Sequence, residues 1–186
     1  MTSTKEEFCL KSPCKINLCL EVSHEMTGGY HQINSVLQAV DFSDYIEFAV
    51  GKSLRVTIDP ESSVSFGIQP IQDNLIFRAA QLLAKELSVQ QGAHINLQKH
   101  VPLSAGVGGG SSNAAITLMG LNRLWELGLS SADLVVFAEQ LGADVPFFLT
   151  GGTALATGIG TTLCQLPSSP EGWVLLVFPD EDAVVQ

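Results

Sequence analysis

Residues 101–115 read VPLSAGVGGGSSNAA. Glycine fills positions 106, 108, 109 and 110, and the run passes straight into Ser111-Ser112. Before it, AHINLQ at 93–98 alternates apolar and polar residues and predicts a strand. After it, residues 112–126 are rich in Ala, Leu and Met and predict a helix. Glycine lets the backbone adopt positive φ and lets a ligand come close to its N–H groups. The helix start adds unpaired N–H groups and the positive end of the helix dipole. A strand, a flexible glycine run and a helix start in that order make a cradle for phosphate. A plain turn is the alternative, but a turn alone has little use for four glycines.

Two common phosphate loops do not fit. GxxxxGK[ST] requires a Lys after the last Gly, and Ser111 follows Gly110. GxGxxG begins at Gly106-Val107-Gly108, but Ser111 stands where the last Gly belongs.

The rest of the chain is mixed. FCLKSPCKINLCLEV at 8–22 predicts a strand interrupted at Pro13, and 33–40, 44–50 and 54–58 predict three more. Asp73-Asn74 caps a predicted helix running to about Val89, and Ser130-Ser131 caps another over 131–141. Residues 152–157 and 173–178 predict strands, and 59–72 a loop. Strands and helices without strict alternation indicate an α+β fold.

Composition narrows the function. The 186 residues are 46% hydrophobic and 15% charged, enough for a sizeable core. A net charge of −10 argues against a nucleic-acid partner. No apolar run reaches the length of a membrane span, and the first ten residues lack a signal-peptide core. Cys9, Cys14, Cys19 and Cys164 form no CxxC pair, so reduced thiols in a cytoplasmic setting are expected.

Four segments carry a resemblance: SPCKINLCLEV at 12–22, GGYHQINSV at 28–36, the glycine loop, and LGADVPFFLTGG at 141–152. Together, and in this order, they resemble the GHMP kinases, the superfamily of galacto-, homoserine, mevalonate and phosphomevalonate kinases. Within it they are most similar to the branch that phosphorylates a small molecule bearing a cytidine diphosphate group in the non-mevalonate isoprenoid pathway. The resemblance implies a mixed sheet packed with helices, like the second domain of ribosomal protein S5. It implies ATP and Mg²⁺ as cofactors. The ATP site implied is Pro102, Ser104, Ala105, Gly106, Val107, Gly108, Gly109, Gly110, Ser111 and Ser112, with Ser112 the one candidate contact for Mg²⁺. Lys15 and Asp144 are implied to be catalytic, although either residue alone would pass for a strand-edge lysine or a turn aspartate. Asn17, Tyr30 and His31 are implied to bind the substrate, Tyr30 by stacking on cytosine and His31 by hydrogen-bonding its edge. His24, His94 and His100 have no comparable setting.

Three places depart from the family pattern. Asn113 stands where an Asp follows the two serines, Met26 and Gly28 replace an Arg and an Asp, and Thr161 replaces a Glu. The resemblance also implies a second domain of roughly a hundred residues. Residues 1–158 are expected to form the nucleotide-binding domain and 159–186 the junction to the second. Another GHMP small-molecule kinase and a non-catalytic nucleotide-binding domain remain as alternatives. An RNA-binding domain is disfavoured by the acidic charge.

Overall fold

The computed structural model describes residues 7–27, 29–62, 71–168 and 170–178. Two long strands, β1 (Phe8–Thr27) and β2 (Tyr30–Gly51), form an antiparallel hairpin. β3 (Arg55–Ile58) leads through a 3-10 turn into helix α1 (Leu75–Glu86) and then β4 (Gly92–Gln98). Helices α2 (Gly109–Leu124), α3 (Ser131–Leu141) and the short α4 (Phe147–Thr150) follow, then β5 (Thr153–Thr157) and β6 (Thr162–Gln165). The sheet order is β3-β4-β2-β5-β6, with β1 on the other side of β2. The β3–β4 pair is parallel and the rest antiparallel, so the sheet is mixed, as the α+β reading expected.

The strand interrupted at Pro13 is continuous. β1 pairs along its length with β2 alone, and an edge strand tolerates a missing N–H. The register slips between Pro13 (opposite Ser43) and Cys14 (opposite Val40), so Asp41 and Phe42 bulge out of β2. That bulge merges the predicted strands 33–40 and 44–50 into one bent strand. It also lets β2 pair with β5 at one end and β4 at the other.

Two other predictions need correction. WVLLVF at 173–178 has strand composition but is irregular in the structure. A strand needs a neighbour, and no described residues pair with it. Leu176 instead packs on a small cluster of Cys14, Val101 and Val107, and the Phe178 ring lies 6.2 Å from that of Phe42. β6 was missed altogether. The signal was Gly158-Ile159-Gly160, whose glycines take φ of 66° and 99° at the turn between β5 and β6.

The helices pack on the sheet. α1 starts at Asn74, whose side chain accepts from the Ile76 N–H at 2.9 Å, and buries Ile76, Ala79, Ala80 and Leu83 at helical spacing. It ends at Glu86, three residues before the predicted Val89. α2 is the central helix and touches β1, β2, α1, α3 and α4. It lies so close to the sheet that a Cβ on Gly120 would sit 2.3 Å from the Phe48 ring. It begins three residues before the predicted start, because Gly109 and Gly110 form its first turn.

Candidate active site

The glycine loop leaves β4 and returns as α2, at the bend of the hairpin. Gly108 is the N-cap of α2, in the left-handed region at φ 71° and ψ 17°. A Cβ there would lie 2.9 Å from the Phe148 ring and 3.2 Å from Lys15 Cγ. The position therefore needs glycine for both conformation and space. The first helical bond runs from the Ser112 N–H to the Gly108 carbonyl. The N–H groups of Gly109, Gly110 and Ser111 precede it and lack an intrahelical acceptor. Gly106, at φ 73°, has open space where a Cβ would stand. Leu103 and Ser104 are exposed, while Pro102, Ala105 and Ser111 are half-buried.

β1 runs beneath this loop. The Lys15 N–H donates to the Val107 carbonyl at 2.9 Å, which ties strand to loop. The Lys15 side chain is 8% exposed. Its Nζ donates to Asn17 Oδ1 at 2.7 Å and stands 3.8 Å from Asp144 Oδ2. Asn17 Nδ2 donates to Ser35 Oγ, and Ser35 Oγ donates to the Cys19 carbonyl, both at 2.7 Å. The relay holds the amide oxygen toward the ammonium, so Lys15 is fixed on one side by Asn17 and faces Asp144 on the other. Asp144 sits in the turn between α3 and α4, where the Val145 N–H closes onto the Gly142 carbonyl at 3.1 Å. Its side chain is 39% exposed and can meet an incoming group.

Under the helix start, Ser12 Oγ lies 2.8 Å from Ser112 Oγ and 2.7 Å from Asn113 Oδ1. An amide oxygen only accepts, so Ser12 donates to Asn113 and receives from Ser112. Ser112, Ser12 and Asn113 are all buried. Asn113 thus provides an acceptor oxygen where the resemblance implied an Asp, without placing another charge in the core. The Ser112 hydroxyl is engaged with Ser12 rather than standing free at the loop surface.

Behind the loop lies a buried ion pair that sequence reading did not single out. Lys99 Nζ donates to Asp44 Oδ2 at 2.7 Å and to the Val101 carbonyl. Asp44 Oδ1 accepts from the N–H groups of His100 and Val101 at 2.7 and 2.8 Å. Burial pushes the Lys99 ammonium below its ordinary value, with Asp44 pulling it back up. Neither residue stands in a recognisable motif: Lys99 follows a strand, and Asp44 opens a predicted one.

The substrate candidates divide. Asn17 is at the centre of the site. Tyr30 and His31 begin β2 at the far end of the hairpin, where Thr27 is opposite Tyr30 and Met26 opposite His31. The Tyr30 side chain lies outside the described residues, as does Gly28. His31 is exposed, and its Nδ1 is 3.0 Å from the Ser23 carbonyl. A carbonyl only accepts, so Nδ1 carries a proton; in the neutral ring Nε2 is then an acceptor. Leu37 is opposite Asn17, six positions along β2 from His31, a separation of about 20 Å at strand rise. His94 and His100 sit elsewhere, beside Thr57 and against Tyr45, and His24 is exposed. All four cysteines are free, and burial pushes the Cys14 thiol up, which keeps it protonated. No helix is long and apolar enough to cross a membrane among the described residues.

Comparison with known proteins bears on the fold as a whole. Residues 74–152 match the family described as GHMP kinases N terminal domain. The 4-diphosphocytidyl-2-C-methyl-D-erythritol kinase of Haemophilus ducreyi is 46% identical over 173 residues, 92% of this chain and 59% of the relative. That of Shouchella clausii is 41% identical over 174 residues, 93% of this chain and 57% of the relative. A crystal structure of 4-(cytidine 5'-diphospho)-2C-methyl-D-erythritol kinase superposes with a TM-score of 0.71 at 33% identity, over 86% of this chain and 55% of the other. Homoserine kinase from Cytophaga hutchinsonii, at 18% identity and a TM-score of 0.60, shares the fold. The chain spans less than two thirds of the length of these relatives. Residues 74–152 thus match a GHMP kinase N-terminal domain, and nearly the whole chain is similar to part of the proteins named 4-diphosphocytidyl-2-C-methyl-D-erythritol kinase.

Proposed function

We propose that this chain is the nucleotide-binding part of a cytoplasmic kinase that transfers the ATP γ-phosphoryl group to the 2-hydroxyl of 4-diphosphocytidyl-2-C-methyl-D-erythritol. The observation that carries the reading is the Lys15–Asp144 pair, 3.8 Å apart beside a glycine loop at a helix start. The relatives named for this activity support it.

The N–H groups of Gly109, Gly110 and Ser111 bind the ATP phosphates at the positive end of α2. Lys15 donates one of its three N–H groups to Asn17 Oδ1 and has donors left for the transferred phosphoryl group. Phosphoryl transfer depends mainly on positioning and charge stabilisation, and a fixed ammonium supplies both. Asp144 takes the proton of the attacking hydroxyl or orients it. Mg²⁺ would offset the negative charge of the phosphates. Mg²⁺ gives up its hydration reluctantly, so the nucleotide and water would hold most of the ion.

The separation of Asn17 from His31 along the hairpin supports an extended substrate. Base and reacting hydroxyl stand at opposite ends of the molecule, joined through a diphosphate. His31 Nε2 accepts from the cytosine amino group while Tyr30 stacks on the ring. The nucleotide-binding unit is read as residues 1–158, and β6 extends its sheet past that boundary by hydrogen-bonding to β5.

The test is Asp144→Asn in the full-length enzyme. Loss of a general base lowers kcat by about 10²–10⁴-fold, while KM for both substrates changes little. An unchanged kcat would remove Asp144 from the chemistry.

A further inference from the structure

The two ends of the glycine loop are held by one buried ion pair. Lys99 is 1% exposed and Asp44 0%. At the outgoing end, Asp44 Oδ1 receives two successive backbone N–H groups, those of His100 and Val101. The Lys99 ammonium bonds the Val101 carbonyl, so both polar groups of the Val101 backbone are engaged. At the returning end, a Cβ on Gly109 would lie 2.9 Å from Val101 Cγ1 and 3.2 Å from Lys99 Nζ. Gly109, the first residue of α2, therefore rests directly on the Val101 side chain and the ammonium. The chain leaves at Val101 and comes back at Gly109 over the same pair of charges.

We infer that Asp44 and Lys99 are positioning residues for phosphate binding: they close the base of the glycine loop and fix the direction of the N–H groups at the start of α2. A carboxylate suits the place because three donors converge on it, and a neutral acceptor would bind them more weakly. A cation behind a helix N-terminus is unfavourable on its own. Asp44 offsets that charge from one side, and a bound phosphate would do so from the other. The functional consequence rests on the nucleotide reading above; the closing of the loop rests on the geometry alone.

The experiment uses the 186-residue chain, with amide hydrogen exchange and calorimetry of a non-hydrolysable ATP analogue with Mg²⁺. In the wild type without nucleotide, the His100 and Val101 amides should exchange as slowly as core sheet amides. Exchange at the rate of an open peptide would overturn the proposal without any variant. The double substitution Asp44→Asn with Lys99→Met removes both charges and leaves none unpaired. It should keep the melting temperature near that of the wild type. Exchange over 102–111 should rise about tenfold or more, with α1 and α3 unchanged, and analogue affinity should fall about tenfold or more. Unchanged loop exchange and unchanged affinity in the folded double variant would overturn it. A wild type that binds no analogue would defeat the nucleotide reading instead, and the exchange measurements would still decide whether the pair closes the loop.

Discussion

The two ends of the β1–β2 hairpin differ in how much of their surroundings this chain provides. Near the bend, Lys15 is buried and hydrogen-bonded, the glycine loop lies over it, and Asp144 approaches from the α3–α4 turn. Toward the tip, Leu18, Leu20, Val22 and Met26 are all more than half exposed, and His31 stands in solvent. Alongside, Trp173 and Leu175 are exposed. Between hairpin and segment lies an open groove of about 650 Å³, lined by Ile16, Leu18, Phe42 and Trp173 among others. Exposed apolar side chains in such a cluster mark surface that is normally covered. Among the described residues, the end proposed to bind phosphate is enclosed by the chain, whereas the end proposed to hold the base is covered on one face only. That contrast agrees with a chain spanning less than two thirds of its relatives.

The contrast can be broken most directly by turnover. The 186 residues alone should bind nucleotide and show little or no phosphoryl transfer, because the acceptor must be held at near-attack distance. Adding the remaining domain of a relative, in cis or in trans, should restore turnover. Full activity of the isolated chain would show that the exposed end needs no covering.

Next in size is the phosphate end. Gly109→Val places a branched side chain against Val101 and the Lys99 ammonium. Affinity for ATP should fall by about tenfold or more, the size of one lost charge-assisted hydrogen bond. Normal affinity in a folded variant would move the phosphates away from this loop.

The base end should respond separately. Tyr30→Ala in the full-length enzyme should weaken the cytidine-bearing substrate by about 1–3 kcal/mol and leave ATP binding nearly unchanged. Equal loss of both ligands in calorimetry would tie the two ends together and dissolve the distinction.

How much of this could be read from residues alone follows the same division. The glycine loop, the capped helices and β4 were legible because each depends on local signals, such as glycine at positive φ, Asn74 or Ser130 at a helix start, or alternation at 93–98. Lys15 and Asp144 were picked out by resemblance, since nothing local distinguishes them. What stayed hidden depends on distant partners. The bulge at Asp41-Phe42 exists because β2 must serve two strands on one side. The Asp44–Lys99 pair joins residues 55 positions apart and has no pattern in either segment. WVLLVF reads as a strand because composition cannot show whether a neighbouring strand is present.

The smallest effect lies outside both ends, in α3, the helix that leads to Asp144. Ser130 and Asp133 form a reciprocal cap: the Asp133 N–H donates to Ser130 Oγ, and Asp133 Oδ2 accepts from the Ser130 N–H at 2.8 Å. The Ser130 hydroxyl, and then its N–H, hold the Asp133 carboxyl below the ordinary aspartate value of 3.8. A lowered folded value means the ionised form is favoured in the native state. Its stabilisation is therefore complete above the unfolded value and fades as pH falls through the folded one. Asp133→Asn should lower the denaturant midpoint at pH 7, and the difference from wild type should shrink toward zero as pH drops below the aspartate range. Asp144 should keep its place throughout, because the α3–α4 turn is also fixed by buried Leu141, Val145 and Phe147. Analogue affinity measured at pH 7 should accordingly be the same in Asp133→Asn as in the wild type. A matching loss of affinity would mean that the start of α3, and not only its end, sets the position of the Asp144 carboxylate.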